Sequence, residues 1–292
     1  MKRYRILAWY EGKMRRMRPT RIIVLTFLAI TLVGAFLLTL PVATRSAGRA
    51  DGFTALFTAV SAVSATGLTL VDTYLYWSYF GQAVILLLIQ IGGLGFMSIL
   101  SVLYFLLNRR IGLRERLMMM ESMNLEKMEG VVTLVRRVLI GTLLFELAGA
   151  IILSIHFIPV FGIGSGIWRS VFLAVSAFSN SGMHLMGDHG MFCGMTSYAA
   201  SPLVLLTMAF LIIVGSIGFY VWGDILNRWR RRRLHVYSKL VLIITAALVV
   251  GGFLMYLLME AAIHTAWAPS HRDSGCWWLS SSLSAHGRRA LT

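Results

Sequence analysis

Charged residues are scarce in this sequence, and acidic residues are the scarcest. Lys, Arg, Asp and Glu make up 13% of the 292 residues, whereas a soluble domain usually carries about 25%. Hydrophobic residues reach 58% and the mean hydropathy is +0.75, so the deficit of charge extends over the whole chain. The composition therefore excludes an ordinary soluble protein and indicates that lipid surrounds much of the chain.

Cysteine and the common catalytic motifs are also nearly absent. Cys193 and Cys276 belong to no CxxC motif, so the sequence predicts no disulfide framework. His184, Asp188 and His189 lie close to Cys193, but their spacing fits no metal-ligand pattern, and solvated loop residues are the favoured interpretation. The chain has no nucleophile elbow, P-loop or HExxH motif. We expect no enzyme activity and no cofactor.

Five apolar stretches are each long enough to cross a bilayer, which takes about 20 helical residues. They cover residues 22–43, 82–107, 138–158, 202–223 and 240–259, and the third contains one acid, Glu146. The first is too long for the apolar region of a signal peptide, so it is predicted to be a retained helix. The sequence predicts an all-α integral membrane protein.

The basic residues predict the orientation of these spans. They are concentrated in the N-terminal segment 1–21, in the connection 108–137 and in the connection between the fourth and fifth spans. Residues 44–81 and 159–201 carry far fewer. Basic clusters mark the cytoplasmic side of a membrane. We therefore place the N-terminus on the cytoplasmic side of a bacterial cell membrane and the end of the fifth span on the outer side.

Each of the two outer connections contains a short apolar stretch, 53–65 in the first and 168–179 in the second. At 1.5 Å per residue, a helix of this size crosses only about two-thirds of the hydrocarbon core. Counting either stretch as a span would also invert the charge pattern downstream. A re-entrant segment fits both facts, because backbone that stops being helical at membrane depth must line a polar cavity or be buried in protein.

The re-entrant segments belong to an internal repeat. Residues 55–68 read ALFTAVSAVSATGL and residues 170–183 read SVFLAVSAFSNSGM, with seven of fourteen positions identical. A second match follows, between IGGLGF at 91–96 and VGSIGF at 214–219. A unit of helix, pore helix and helix therefore occurs twice, over 22–107 and 138–223. Parallel repeats of this kind are expected around a pore axis along the membrane normal.

The glycine turns after the short helices predict the function. A helix entering from outside points its C-terminal end, with a partial negative charge, into the membrane, where it favours a cation. Gly67 and Gly182 let the backbone turn its carbonyl groups toward such an ion, replacing the water around it. One copy alone is equally consistent with an ordinary glycine turn in an outer loop. Two copies in register favour a pore.

At these residues the chain resembles the membrane subunit of the Trk/Ktr/HKT potassium transporters, of the Ktr type. The supporting strings are LFTAVSAVSATGL, ILLLIQIGGLGFM, NRRIGLRERL, SAFSNSGM and IVGSIGF, within residues of roughly 20–260. The resemblance implies potassium uptake through a filter of backbone carbonyls, with this chain supplying two of four filter segments. The implied filter residues are Ala65, Thr66, Gly67, Leu68, Asn180, Ser181, Gly182 and Met183. Implied partners are a second copy of the full-length chain and a cytosolic nucleotide-binding ring subunit.

The last part of the sequence departs from the family pattern. The resemblance implies that 240–259 is the first helix of a third repeat, but residues 260–292 contain no third filter. Synonymous codons for 280–292 can be chosen so that another reading frame gives FQSVSARTAGFN, which looks like a third pore helix and filter. We expect this tail to be aberrant, the product of a frameshift that truncates the protein.

Several interpretations stay open from the sequence. The chain is a truncated potassium transporter inactive alone, a half-transporter that dimerises to complete four filter segments, or a non-conducting scaffold or inhibitory fragment. Glu146 is slightly favoured as a partner for a neighbouring helix over a functional acid. Gln90 is favoured as interhelical polar contact over an ion ligand. The glycines at 92, 93 and 95 favour close helix packing over a hinge, and the basic segment 109–127 is slightly favoured as a docking site for the ring subunit.

Overall fold

The computed structural model describes residues 19–45, 48–95, 117, 131–187, 198, 201–218, 221–225 and 235–267. The chain divides into two compact units, residues 1–234 and 235–292. Within the described ranges the regular structure is helical, and a single isolated bridge pairs Thr44 with Trp77. This confirms the all-α prediction.

Seven α-helices are described in the first unit and one in the second. They are α1 (Pro19–Leu38), α2 (Gly52–Val63), α3 (Thr73–Tyr76), α4 (Tyr79–Leu94), α5 (Val131–Phe161), α6 (Ile163–Phe178), α7 (Pro202–Ser216) and, in the second unit, α8 (Val236–Trp267). A short 3-10 turn, Pro41–Ala43, follows α1.

The helices fall on the stretches that the sequence singles out, with some different bounds. Helices α1, α4, α5, α7 and α8 overlap the five predicted spans, and α2 and α6 overlap the two re-entrant segments. Helix α6 begins five residues before the predicted start at 168, because Gly162 turns the chain with φ of 81° directly after α5. The predicted spans continue after α4 into 96–107, and after α7 through 219–220, which lie outside the described residues.

Among the described residues, two helical stretches are long and apolar enough to cross a bilayer by themselves, Val135–Phe161 and Val236–Met259. The remaining apolar helices are shorter. Helix α5 leaves Leu143, Leu147 and Ile155 between 59% and 65% exposed. An outward row of large aliphatic side chains would be unfavourable in water and suits contact with lipid tails.

The two pore helices, α2 and α6, are each buried on part of their surface against neighbouring helices of the first unit. Helices α1 and α4 pack against α2, whereas α5 and α7 pack against α6. The first apolar cluster includes Ala59 and Ala62 of α2, and it extends to Phe172 of α6. Small alanine side chains let the neighbouring helices approach α2 closely. The last residues of both pore helices, Val63 and Phe178, are therefore buried against neighbouring helices.

Candidate functional site: two glycine turns behind the pore helices

The backbone takes the same unusual course after each pore helix. Ala65 and Asn180 have φ of 50° and 54°, and Gly67 and Gly182 follow with φ of 74° and 78°. Glycine adopts this left-handed region readily, but alanine and asparagine do so at a cost, so the surrounding contacts must hold them there. We call residues 65–68 the first filter turn and residues 180–183 the second filter turn.

Matched hydrogen bonds hold both turns in place. The backbone N–H of Thr66 donates to the Ser61 carbonyl at 3.1 Å, and that of Ser181 donates to the Ser176 carbonyl at 2.8 Å. In a trans peptide the N–H and the preceding C=O point in opposite directions. The carbonyl groups of residues 65 and 180 therefore point away from their own pore helices.

The two turns lie against each other. A Cβ atom added to Gly67 would overlap the backbone carbonyl oxygen of Ser181, so only glycine leaves room for this contact. A small cavity of about 30 Å³ lies beside both glycines, enough for a single water molecule or a similar small species. Its other lining residues are Thr69, Asp72, Thr73, Met183 and His184.

The two turns differ in how well they are covered. Ser181 and Met183 in the second turn are each 1% exposed. Leu68, the counterpart of Met183 in the first turn, is 64% exposed. The buried hydroxyl of Ser176 on α6 donates to the Met183 carbonyl at 2.6 Å. This hydrogen bond fixes the direction of the carbonyl. The structure thus brings all eight predicted filter residues into two adjacent turns, and only the second turn contains buried residues, Ser181 and Met183.

Helices α4 and α7 contact the ends of the pore helices through glycine residues. A Cβ at Gly92 of α4 would overlap the Val63 carbonyl at the end of α2, and one at Gly215 of α7 would overlap the Phe178 carbonyl at the end of α6. The close packing expected from the glycine-rich motif is therefore seen at residue 92. Gly95, with φ of 73°, ends α4, so this motif also stops the helix.

A profile of the TrkH family, described as a cation transport protein, matches residues 6–265. The chain belongs to the TrkH family of cation transport proteins. It is 39% identical over 246 residues to the potassium/sodium uptake protein NtpJ of Enterococcus hirae, which covers 84% of this chain and 53% of that protein. It is 38% identical over 245 residues to Ktr system potassium uptake protein B of Bacillus subtilis, covering 84% of this chain and 54% of that protein.

A further relative is Ktr system potassium uptake protein B of Vibrio alginolyticus, 37% identical over 242 residues, or 82% of this chain and 52% of that protein. The TrkH-family chain spans about half the length of the curated relatives it matches. The family resemblance read from the motifs is confirmed. The protein is a multi-pass cell-membrane protein of a transporter family rather than an enzyme.

The intramembrane acid of this TrkH-family chain has a partner on a neighbouring helix. The amide nitrogen of Gln90 on α4 donates to both carboxylate oxygens of Glu146 on α5, at 3.0 and 3.1 Å. Glu146 is 6% exposed. The contact joins a helix of the first repeat to one of the second, which supports the interhelical role expected for both residues.

Sequence reasoning missed two buried polar residues, Gln82 and Asp72. Gln82, 1% exposed, donates from its amide to the Trp77 carbonyl at 3.0 Å and accepts from the indole N–H of Trp168 at 2.8 Å. Asp72, 3% exposed, lines the cavity beside the filter glycines. The signal for Asp72 was present, since it is one of two acids in the outer connection 44–81.

His184 lies in the outer loop beside Asp72, and it is the one residue of the rejected metal cluster that the structure describes. Burial lowers the pKa of His184, and the nearby Asp72 carboxylate partly opposes this. The backbone N–H of Met186 points at its Nδ1 atom at 3.4 Å. No metal-binding group of His, Cys, Asp and Glu occurs within the described part of the chain.

Proposed function

We propose that this chain takes part in potassium uptake by supplying two of the four segments of a carbonyl filter. The observation that carries the proposal is the pairing of the two filter turns, with matching left-handed φ values and Gly67 packed on the Ser181 carbonyl. Two backbone turns meet here from distant parts of the chain, and Gly67 has no room for a side chain. Such an arrangement suits a site where backbone oxygens, rather than side chains, face an ion.

The elements around the turns favour a cation. Both pore helices, α2 and α6, end at a filter turn, and the C-terminal end of a helix carries a partial negative charge. The relatives are named as potassium or potassium/sodium uptake proteins. Potassium is the substrate we assign.

Two filter turns provide only half of a coordinating ring. A dehydrated ion needs oxygens on all sides, because each lost contact with water must be replaced. The exposed Leu68 marks the open side of the first turn. We propose that the remaining segments come from further sequence of the same kind or from a full-length relative, and a second copy of this chain is the alternative. We therefore expect no transport by the 292-residue chain alone.

The assembly we propose has two further partners, a second copy of the complete protein and a cytosolic nucleotide-binding ring. The basic segment 109–127 is the proposed docking site for the ring, and it lies outside the described residues except for Leu117. Replacing the basic residues of this segment by glutamine should abolish co-purification of a ring subunit without reducing the amount of membrane protein. Unchanged co-purification would contradict this docking site.

A chimera tests the filter assignment. Residues 1–259 of this chain would be fused to the unmatched half of Ktr system potassium uptake protein B of Bacillus subtilis, and expressed in cells that lack potassium uptake. We expect growth at low potassium for the chimera, and none for Gly67→Asp or Gly182→Asp variants. Gly48→Asp is the matched control, because Gly48 is exposed in an outer loop with open space around its Cα.

Each outcome decides between the functions considered. Growth of the chimera that is lost with both filter variants but not with the control supports the proposal. A chimera that reaches the membrane without restoring growth, or growth that survives both filter variants, contradicts it. Rescue by the 292-residue chain alone, abolished by Gly67→Asp, would favour a dimeric half-transporter instead.

A further inference from the structure

Four side chains form a stack of cations and rings on the outer side of the filter turns. The guanidinium carbons of Arg45 and Arg169 lie 4.3 and 4.2 Å from the centre of the Tyr74 ring. The guanidinium carbon of Arg169 also lies 3.9 Å from the ring centre of Phe161. We call these four residues the Tyr74 clamp.

The clamp joins segments from both repeats. Arg45 follows the 3-10 turn after α1 and Tyr74 lies on α3, whereas Phe161 ends α5 and Arg169 lies on the second pore helix, α6. Each arginine side chain is also held by a hydrogen bond. The Nε of Arg45 donates to the Trp77 carbonyl at 3.2 Å, and the Nε of Arg169 donates to the Ser165 hydroxyl at 3.2 Å. Tyr74 is thus held by cations that are themselves fixed.

The clamp acts on Asp72 through the backbone. The N–H groups of Tyr74 and Leu75 donate to the Oδ1 atom of Asp72 at 2.9 and 3.0 Å. From the second repeat, Gly187 lies so close to this carboxylate that a Cβ there would be 2.5 Å from Oδ1. A shift of Tyr74 would therefore carry the carboxylate away from the cavity it shares with Gly67 and Gly182.

We propose that the Tyr74 clamp is a positioning device that holds the Asp72 carboxylate at the outer mouth of the filter, where Asp72 concentrates monovalent cations for entry. The proposal rests on the filter function proposed above. A buried carboxylate beside an ion path attracts cations more strongly than a solvated one, because less water screens its field. Tyr74, Arg45 and Arg169 are positioning residues, and Asp72 is the group that acts on the ion.

The direction in which removal of Arg45 changes the affinity for potassium distinguishes two roles for this residue, holding Tyr74 in place and repelling the ion. If Arg45 acted on the ion only by repulsion, removing its positive charge would raise the affinity for potassium. If it acts by holding Tyr74, removing it lowers the affinity, because the Asp72 carboxylate loses its fixed place. Arg45 is exposed, so we expect the Arg45→Ala variant to fold.

The first experiment measures the position of α3 without transport. Thr73, 4% exposed, lines the cavity next to Asp72 and is replaced by cysteine in a Cys193→Ser, Cys276→Ser background of the 292-residue chain. A membrane-impermeant thiol reagent is applied from outside. We expect reaction about tenfold faster with Tyr74→Leu or Arg45→Ala, and unchanged with Tyr74→Phe, which keeps the ring. Equal rates for Tyr74→Leu and Tyr74→Phe would overturn the clamp.

The second experiment measures rubidium uptake by the chimera. We expect Asp72→Asn, Tyr74→Leu and Arg45→Ala each to raise KM severalfold with kcat nearly unchanged, and Tyr74→Phe to leave both unchanged. The Asp72→Asn, Tyr74→Leu double variant should raise KM no further than Asp72→Asn alone, since both changes remove the same effect. Additive increases in KM, a fall in KM with Arg45→Ala, or a change in kcat alone would overturn the proposal. If the unaltered chimera fails to transport, the filter function fails, while the thiol rates still decide the clamp.

Discussion

At the scale of single residues, the two filter glycines have the same backbone conformation but different surroundings. Gly67 and Gly182 differ by only 4° in φ, at 74° and 78°. Gly182 has open space where a Cβ would be, whereas Gly67 is pressed against the Ser181 carbonyl. Gly182 is therefore required only for its positive φ. Gly67 is required both for its positive φ and because no side chain fits beside the Ser181 carbonyl.

Alanine substitutions should reveal that difference. Gly182→Ala is expected to cost about 1–2 kcal/mol, the penalty for an ordinary residue in the left-handed region. Gly67→Ala should cost more, because the added methyl group must also displace the second filter turn. The measurement is the melting temperature of each variant purified in detergent. Equal losses for the two variants would show that the turns do not touch as described.

The carbonyl of Met183 offers a second test at this scale. It accepts a hydrogen bond from the hydroxyl of Ser176, a residue that is 1% exposed. Ser176→Ala should cost about 1 kcal/mol and lower the preference of the chimera for potassium over sodium, because the carbonyl loses its fixed direction. Ser170→Ala is the matched control, since its equally buried hydroxyl bonds to the Gly166 carbonyl, which also has a partner within α6. A selectivity change with Ser170→Ala, or none with Ser176→Ala, would contradict the role given to Ser176.

At the scale of elements, glycines let a neighbouring helix pack directly on the end of each pore helix. Gly92 and Gly215 both face the last carbonyl groups of a pore helix, Val63 and Phe178 respectively. The contacted carbonyl groups belong to residues two positions before each filter turn. The end of a pore helix determines where its filter turn begins, so the packing of α4 and α7 sets the position of the turns.

A pair of helix variants tests this support. Gly92→Ala should lower the melting temperature and the rubidium uptake of the chimera, because the methyl group would push α4 away from the end of α2. Gly141→Ala on α5 should leave both unchanged or slightly raise the melting temperature, since nothing lies near its Cα and alanine favours a helix by about 0.5–1 kcal/mol. Normal uptake by Gly92→Ala would mean that the filter does not depend on this contact.

At the scale of the whole molecule, the charge distribution predicts which side of the membrane each connection occupies. Cysteine placed at Ser46, in a background without the native cysteines, should react with an impermeant thiol reagent added outside the cell. Cysteine placed at Arg231, in the connection rich in arginine, should react only after the membrane is permeabilised. Both positions lie outside the described residues, so neither substitution disturbs a described contact. The reverse pattern would invert the topology.

Much of the fold was predictable because lipid imposes a simple rule on the sequence. Helices that cross lipid must be long and apolar, so the apolar stretches on which the described helices fall stand out in composition and length. The filter turns were predictable because the repeat places glycine at residues 67 and 182 in matching contexts. The bounds were less predictable, since Gly162 and Gly95 end helices through φ values that the apolar pattern does not encode.

The sequence by itself determined the family, the helical membrane class and the two glycine turns. The positions of glycines and the lengths of apolar stretches are local features that can be read from the sequence directly. Only the tertiary structure decided which residues meet across repeats. Gln90 with Glu146, Gln82 with Trp168, and Tyr74 with Arg169 are each separated by more than fifty residues along the chain. Such pairs follow from how helices pack in three dimensions, and in one sequence nothing local marks them.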